Sequence, residues 1–198
     1  MKALSKLLVV ILASSLLTGC GVLMGWMMSG PSGHAKLIDY GDKIKIRNDR
    51  AYALVRVGYA KDIKEPRRWA NFYSLDPATK TFIKGSCGPK EWFEGEVPQD
   101  ETDKYFLFEV IPETYAFVPF PGHIDGFDES TGAYFDLKPG EISYLGDFMN
   151  FKNSSITLEY DMNTAKNFFQ SHWKSNYTIK KTEKVLDKIQ DPMQILCY

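Results

Sequence analysis

Short segments of β type, separated by turn residues, fill most of this chain and restrict its fold more than any other feature. Polar and apolar residues alternate with a period of two, the repeat of a strand with two different faces. Turn pairs such as Asp76-Pro77, Pro121-Gly122 and Pro139-Gly140 stand between the segments. Many short strands joined in this way are typical of two packed sheets. We therefore predict a mainly β fold, an antiparallel β-sandwich, with strands at 52–59, 104–111, 114–120, 133–137, 141–148 and 155–160.

One segment has the repeat of a helix instead. Between Asp161 and Lys174, apolar positions follow one another at helical spacing and form a single face: Ala165, Phe168, Phe169, His172 and Trp173. Asp161 or Asn163 can cap the first turn by accepting a hydrogen bond from a free backbone N–H. We expect a helix near 161–174 that covers one side or edge of a sheet. On this face, His172 is predicted to be packed and not catalytic.

The N-terminal segment has the layout of an exported precursor. Two lysines, Lys2 and Lys6, precede an apolar run from Leu7 to Leu17, and Leu17-Thr18-Gly19-Cys20 follows. This arrangement resembles the bacterial lipoprotein precursors, whose lipobox of Leu, a small residue, Gly or Ala, and Cys is matched at all four positions. The resemblance implies that residues 1–19 are a signal peptide and that Cys20 becomes the lipidated N-terminus. Gly21 replaces the Asp that often retains such lipoproteins in the inner membrane, so the resemblance favours the outer membrane.

A membrane-spanning helix is the alternative for the same segment. Residues 7–28 are nearly all apolar and are long enough to cross a bilayer. Gly21 and Gly25 have the spacing at which membrane helices can pack closely. Lysines occur only on the N-terminal side of this run, so the positive-inside rule would also place the following domain outside the cytoplasm. Both alternatives predict the same compartment, facing the periplasm, and differ in whether acyl chains or a helix hold the protein.

The remaining residues divide into a tether and one domain. Residues 20–36 are rich in Gly, Ser and Met and are predicted to form a lipidated tether, and 37–198 a single domain of normal size. An aromatic content of 14% favours a compact fold over disorder. The basic stretch 61–68 is interrupted by Asp62 and Glu65, so we predict no binding to nucleic acid.

Two stretches of the domain resemble a known class of protein. These are FEVIPETYAFVPF (108–120) and FDLKPGEISYLGDF (135–148). They are similar to parts of small envelope lipoproteins of unknown function that have transthyretin-like or immunoglobulin-like β-sandwich domains. The resemblance implies a fold and a location in the cell envelope, and it supplies no catalytic residues.

Two cysteines remain once Cys20 is set aside, Cys87 and Cys197. In an oxidising compartment an even pair favours a disulfide, which we predict here. The alternative is that Cys87 is a nucleophile, which would need a base, and neither His123 nor His172 stands at a recognisable spacing.

The sequence lacks the common catalytic and cofactor motifs. It contains no C-x-x-C, H-E-x-x-H or G-x-S-x-G pattern and no phosphate-binding glycine loop. We accordingly expect no catalytic residue, cofactor or metal site. The most polar loop, 121–132, could gather carboxylates and a histidine around a hard cation, but its carboxylate spacing is not that of a calcium loop, and a solvated loop is favoured. Its candidate ligands are His123, Asp125, Asp128 and Glu129.

Two classes of function remain. The leading hypothesis is a non-enzymatic module, held at the membrane through Cys20, that contacts another envelope protein or a cell-wall component. Aromatic-rich loops, expected at 69–73 and 119–127, are its candidate contact surfaces, because aromatic side chains supply contact area at low entropic cost. The alternative is an envelope hydrolase that uses His123 with the carboxylates of its loop. An exposed apolar patch would favour the module, and a deep pocket containing His123 the hydrolase.

Overall fold

The computed structural model describes residues 33–59, 68–84, 89–117, 131–150 and 156–188. These residues form thirteen strands and one helix. The elements are β1 (Gly33–His34), β2 (Lys36–Ile38), β3 (Ala51–Tyr59), β4 (Trp69–Asp76), β5 (Thr81–Phe82), β6 (Glu91–Glu96), β7 (Asp103–Val110), β8 (Thr114–Phe117), β9 (Thr131–Asp136), β10 (Ile142–Asn150), β11 (Ile156–Glu159), α1 (Met162–Trp173), β12 (Ile179–Lys181) and β13 (Lys184–Lys188).

The strands form two sheets. The first sheet has the order β1-β6-β4-β8-β9-β13, with β5 beside β4, and the second has the order β11-β10-β3-β7-β2, with β12 beside β10. Neighbouring strands are antiparallel except in the pairs β1–β6, β3–β10 and β10–β12, which are parallel. The predicted β-sandwich is confirmed, with these parallel pairs added to an otherwise antiparallel arrangement.

Aromatic side chains fill the space between the two sheets. Phe72 and Phe93 of the first sheet stack with ring centroids 4.7 Å apart. Phe148 of the second sheet packs edge-on against Phe72 at 4.9 Å, and Phe93 lies 4.9 Å from Phe108. All four are at most 2% exposed. Because burying one such side chain contributes about 1.5–3 kcal/mol, this layer is a major stabilising contact of the domain.

The helix forms a third layer on the outer face of the second sheet. Ala165, Phe169 and Trp173 are buried there, against a cluster that includes Tyr52, Leu54, Leu107 and Tyr144. The second sheet is therefore covered on both faces, which explains why β3 reads as an almost continuous apolar run. Helix α1 confirms the prediction at 161–174. Its N-cap is Asp161, whose carboxylate accepts a hydrogen bond of 3.0 Å from the backbone N–H of Thr164.

Two parts of the sequence interpretation are wrong. Trp69–Tyr73, expected to be a contact loop, lies in β4, a central strand of the first sheet, and Phe72 is fully buried. The predicted tether also extends too far, because Gly33–His34 and Lys36–Ile38 are strands at the edges of the two sheets. The described residues contain no helix that is long and apolar enough to cross a membrane.

Candidate functional site

An open cleft of about 420 Å³ lies on the second sheet, between its edge strand β2 and the loop 39–50 that leads to β3. Its size is within the range of about 300–1,000 Å³ that is usual for small-molecule sites. Ile38 and Ile44 supply apolar surface. Charged side chains supply most of the rest: Lys36, Asp42, Lys43, Lys45, Arg47 and Glu109.

The loop that forms one wall of the cleft is anchored at several points. Residues 43–47, with the sequence KIKIR, alternate between exposed lysine or arginine and half-buried isoleucine, as an extended chain does when one side packs on the protein. Ile44 and Ile46 pack on the cluster beneath the helix. The buried hydroxyl of Tyr52 donates to the carbonyl of Lys45 at 2.9 Å and accepts from the N–H of Arg47 at 3.1 Å. The alternation therefore presents Lys43, Lys45 and Arg47 together on the outer side.

The helix fixes the beginning of the same loop. The N–H of Gly41 donates to the carbonyl of His172 at 2.8 Å. The indole N–H of Trp173 donates to the carbonyl of Ile38 at 3.2 Å. Both ends of the cleft wall are thus connected to the folded core, so the cleft is present before any ligand arrives.

The cleft carries a net positive charge although the whole chain does not. Four cations and two carboxylates line it, whereas the full chain has a formal charge of −1. Arg47 is already engaged: its Nη2 lies 2.7 Å from Asp49 and its Nη1 lies 3.4 Å from Glu109. The hydrogen bond from Arg47 lowers the pKa of Asp49. Among the described residues, Lys36, Lys43 and Lys45 form no ion pair. Three ammonium groups are therefore available to an anion.

A smaller depression lies beside the same edge strand. It has a volume of about 110 Å³ and is lined by residues that include Tyr40 and Lys104. Lys104 Nζ stands 5.6 Å from the centroid of the Tyr40 ring. The Tyr40 hydroxyl donates to the carbonyl of Tyr105 at 2.6 Å. Its volume is below that of usual ligand sites, so the larger cleft is the better candidate.

A buried acid, Glu91 of β6, has a structural environment. Its carboxylate accepts hydrogen bonds from the hydroxyl of Tyr115 and, at 2.6 Å, from the N–H of Ile111, and Arg50 Nη1 stands 4.0 Å away. Burial raises the pKa of Glu91, and the two hydrogen bonds oppose that rise. Burial also raises the pKa of Tyr115, so its hydroxyl keeps its proton and remains a donor. β6 and β8 lie on either side of β4, so the bond between Glu91 and Tyr115 connects two strands that are not neighbours. The bond from Ile111 fixes the connection between β7 and β8.

A second buried acid, Asp147 of β10, lies beyond the N-terminal end of the helix. Its carboxylate accepts a hydrogen bond of 2.6 Å from Tyr144 and lies 3.8 Å from Arg56 Nη1. Arg56 also pairs with Asp103 and stands over the ring of Tyr105 at 5.6 Å. Burial raises the pKa of Asp147, and the bond from Tyr144 and the charge of Arg56 oppose it. The arrangement ties β3, β7 and β10 together.

The two described histidines are packed against rings. His172 stacks on Phe168 with centroids 3.7 Å apart and stands 5.1 Å from Tyr40, which confirms that it is packed, although it is half-buried and not enclosed. His34 is exposed and contacts Trp92 edge-on at 4.4 Å. Neither histidine lines the cleft.

Several predicted sites lie outside the described residues. They are Cys20, the pair Cys87 and Cys197, the loop 121–130 with His123, and the contact candidate 119–127. Lipidation, the disulfide and the His123 loop therefore stay predictions. Within the described segments, no group of three or more His, Cys, Asp or Glu side chains could hold a metal ion.

The cleft itself was missed by the sequence interpretation. The alternation in KIKIR was a usable signal, because cations at every second position share one side of an extended chain. It was overlooked because the expected contacts were aromatic. The sequence alone does not place Lys36 beside these residues. Its position depends on the pairing of β2 with β7, which places Lys36 opposite Glu109.

Comparisons with known proteins returned no relative. A scan against protein-family models, a search of curated proteins and a search of solved structures each found no match.

Proposed function

We propose that the protein is a lipid-anchored, non-enzymatic binding module of the bacterial cell envelope, and that the cleft beside β2 contacts an anionic envelope component. The observation that carries this proposal is that Lys36, Lys43 and Lys45, around a preformed cleft of about 420 Å³, have no ion-pair partner among the described residues. Cations left without partners beside a concave surface favour an anionic ligand.

The N-terminal sequence supports the anchor. Leu17-Thr18-Gly19-Cys20 follows a charged start and an apolar run, as in lipoprotein precursors. The thirteen positions from Cys20 to Gly33 would span at most about 45 Å when fully extended. A domain on such an anchor works close to the membrane surface, facing the periplasm, and the outer membrane is the preferred location.

The environments of the buried acids support binding in preference to catalysis. A catalytic carboxylate must reach a substrate, usually within a cleft. Burial raises the pKa values of Glu91 and Asp147. Both carboxylates accept hydrogen bonds from tyrosine hydroxyls and backbone N–H groups, and neither residue lines the cleft.

Photocrosslinking in intact cells tests the binding role. A photoreactive amino acid would replace Asp42, which is exposed and lines the cleft, and in a matched control would replace Asn167, which is exposed on the helix. We expect a discrete crosslinked product at position 42 and none at position 167, identified by mass spectrometry. Equal products at both positions, or none at 42, would remove the support for this surface.

Mass spectrometry of the mature N-terminus tests the anchor separately. We expect Cys20 to carry acyl chains and residues 1–19 to be absent. An intact Met1 would indicate the membrane-spanning alternative, and cleavage elsewhere would contradict lipidation. Density-gradient fractionation of the envelope then assigns the inner or the outer membrane.

A further inference from the structure

We propose that the anionic ligand of the cleft bears a phosphate group, held by Lys43 and Lys45 together with Lys36. This inference rests on the proposed binding role of the same cleft and goes further by naming the ligand chemistry. It depends on which hydrogen-bond donors of the lining have no partner among the described residues, and on the shape of the cleft. It depends also on the lack of an exposed aromatic ring among the described residues of the lining.

The free donors suit phosphate better than carboxylate. Arg47 has the one guanidinium among the described residues that line the cleft, and its Nε and Nη2 atoms donate to the two oxygens of Asp49 at 3.1 and 2.7 Å. Its planar fork, which would match a ligand carboxylate, is therefore occupied. What remains is three ammonium groups, each with three donors and no fixed plane. A tetrahedral phosphate, with oxygens pointing in several directions, can accept from all three at once.

The spacing of the lysines also fits one shared anion. Lys43 and Lys45 are two residues apart on the same side of an extended segment, so their α-carbons are about 6–7 Å apart. Side chains of lysine length converge easily on a group between them. Lys36 approaches from β2, which forms the other wall.

The cleft has room for a ligand larger than a phosphate ion. A volume of about 420 Å³ exceeds that of one such ion severalfold, and Ile38 and Ile44 supply apolar surface beside the lysines. Asp42 and Glu109 supply carboxylate oxygens that can accept hydrogen bonds from hydroxyl groups. A phosphate ester with a hydroxylated body, such as a phosphorylated glycerol or sugar, matches these groups.

Nucleic acid phosphates do not fit this cleft. Single-stranded nucleic acids are held by stacking of bases on exposed aromatic rings in addition to cations. Among the described residues that line the cleft, the one aromatic residue is Tyr52, which is fully buried and whose hydroxyl is used by the loop backbone. The phosphate ester is thus either a soluble molecule or the headgroup of a lipid, and the experiment separates these sources.

The test measures how fast each lysine of the full chain is acetylated, read by mass spectrometry at low ionic strength. For a soluble source, the chain in neutral detergent is titrated with glycerol phosphate, with inorganic phosphate, and with succinate as a carboxylate of comparable charge. For a lipid source, the chain is reconstituted in phosphatidylcholine vesicles with or without phosphatidylglycerol. Lys166, exposed on the helix and without an ion pair among the described residues, is the internal control.

We expect acetylation of Lys36, Lys43 and Lys45 to slow while that of Lys166 does not change. Protection by glycerol phosphate assigns a soluble ester, and protection only by phosphatidylglycerol vesicles assigns a lipid headgroup; either result supports the proposal. Equal or stronger protection by succinate, or no protection by any of the probes, overturns it. These outcomes are independent of the N-terminal mass and of crosslinking at position 42, which test the proposed function.

Charge-matched variants provide a second measurement. In Lys43→Gln/Lys45→Gln, the probe concentration that half-protects Lys36 should rise about 30-fold, because each lysine near an anionic group contributes about fivefold in affinity. Lys80→Gln/Lys166→Gln removes the same charge from the first sheet and the helix and should leave the titration within about twofold, because exposed charges away from the lining are screened. Similar shifts in both double variants would indicate general electrostatic attraction and overturn the assignment to the cleft.

Discussion

The hydroxyl of Tyr144 lies 2.6 Å from Oδ1 of Asp147, although residues three apart in a regular strand face opposite sides of a sheet. A bulge in β10 makes the contact possible. Opposite β3, the register moves from Tyr144 to Gly146, so Leu145 is the extra residue. Tyr144 and Asp147 consequently share the outer face of the sheet, while Leu145 and Phe148 stay in the core between the sheets.

Gly146 allows this bulge, and replacing it should be costly. Its φ is +118°, and a Cβ at this position would lie 2.7 Å from the carbonyl oxygen of Glu159 on β11. Gly146→Ala should therefore lower the free energy of unfolding by about 3 kcal/mol, from backbone strain and the clash together. Gly41→Ala is the control, since Gly41 has a φ of +87° with open space around it, and should cost about 1 kcal/mol. If urea unfolding gave equal decreases in the free energy of unfolding for Gly146→Ala and Gly41→Ala, the close contact with Glu159 would not contribute.

Removing the Tyr144 hydroxyl should change both stability and the titration of Asp147. Tyr144→Phe leaves the buried carboxylate without one donor, so we expect the free energy of unfolding to fall by about 1–3 kcal/mol. The bond from Tyr144 lowers the pKa of Asp147 against the larger effect of burial, so that pKa should rise further in the variant. Carboxylate NMR titration measures it. Tyr177→Phe, at a residue 45% exposed, should change neither quantity, and an unchanged Asp147 pKa in Tyr144→Phe would contradict the prediction.

The N-cap of the helix provides a local test. Asp161 accepts hydrogen bonds from the backbone N–H and the hydroxyl of Thr164. Asp161→Ala should cost about 1 kcal/mol, because it leaves the first turn with an unsatisfied donor. Asn163→Ala changes the other residue considered as a cap and should be nearly neutral. A larger loss for Asn163→Ala in thermal unfolding would transfer the capping role to that residue.

Strands with apolar inward positions could be predicted from the sequence, and those with small or polar inward positions could not. In β3 the inward positions Ala53, Val55 and Val57 belong to an almost continuous apolar run, which itself indicates a buried strand. In β6 the buried positions are Glu91, Phe93 and Gly95, so the period of two is hidden. Gly95 is required there because a Cβ would lie 2.7 Å from the Phe106 ring. In β4 the inward positions include Ala70 and Ser74.

The candidate site was less predictable than the fold. A cleft depends on which segments become neighbours, and β2 meets β7, 65 or more residues further along the chain, only in the folded protein. The ion pair between Arg47 and Glu109 is likewise tertiary, although the pair between Arg47 and Asp49 is local. A pattern of local periodicity carries no information on which segments meet or on the pair with Glu109.

The disulfide between Cys87 and Cys197 stays a prediction from an exported chain with an even number of remaining cysteines. Non-reducing peptide mapping of protein taken from the envelope should recover the two peptides as one linked species. The link would close a loop of roughly 110 residues and stabilise the fold by about 4–5 kcal/mol in the chain-entropy model. Cys197→Ser should then be less stable than the oxidised protein and about as stable as the reduced protein. Two free thiols in the envelope protein would exclude the bond.

The buried carboxylate of Glu91 predicts a specific dependence of stability on pH. Burial raises its pKa above the ordinary value of 4.5, so the folded state keeps a proton that the unfolded state has released. Stability contributed by this group is therefore present below the unfolded pKa and is lost as the pH rises through the folded pKa.

Glu91→Gln cannot titrate, while its amide oxygen can still accept from Tyr115 and Ile111. The free energy of unfolding of Glu91→Gln, relative to the unsubstituted protein, should accordingly increase with pH above about 4.5 and then level off. A flat or falling difference for Glu91→Gln in urea unfolding would contradict the raised pKa.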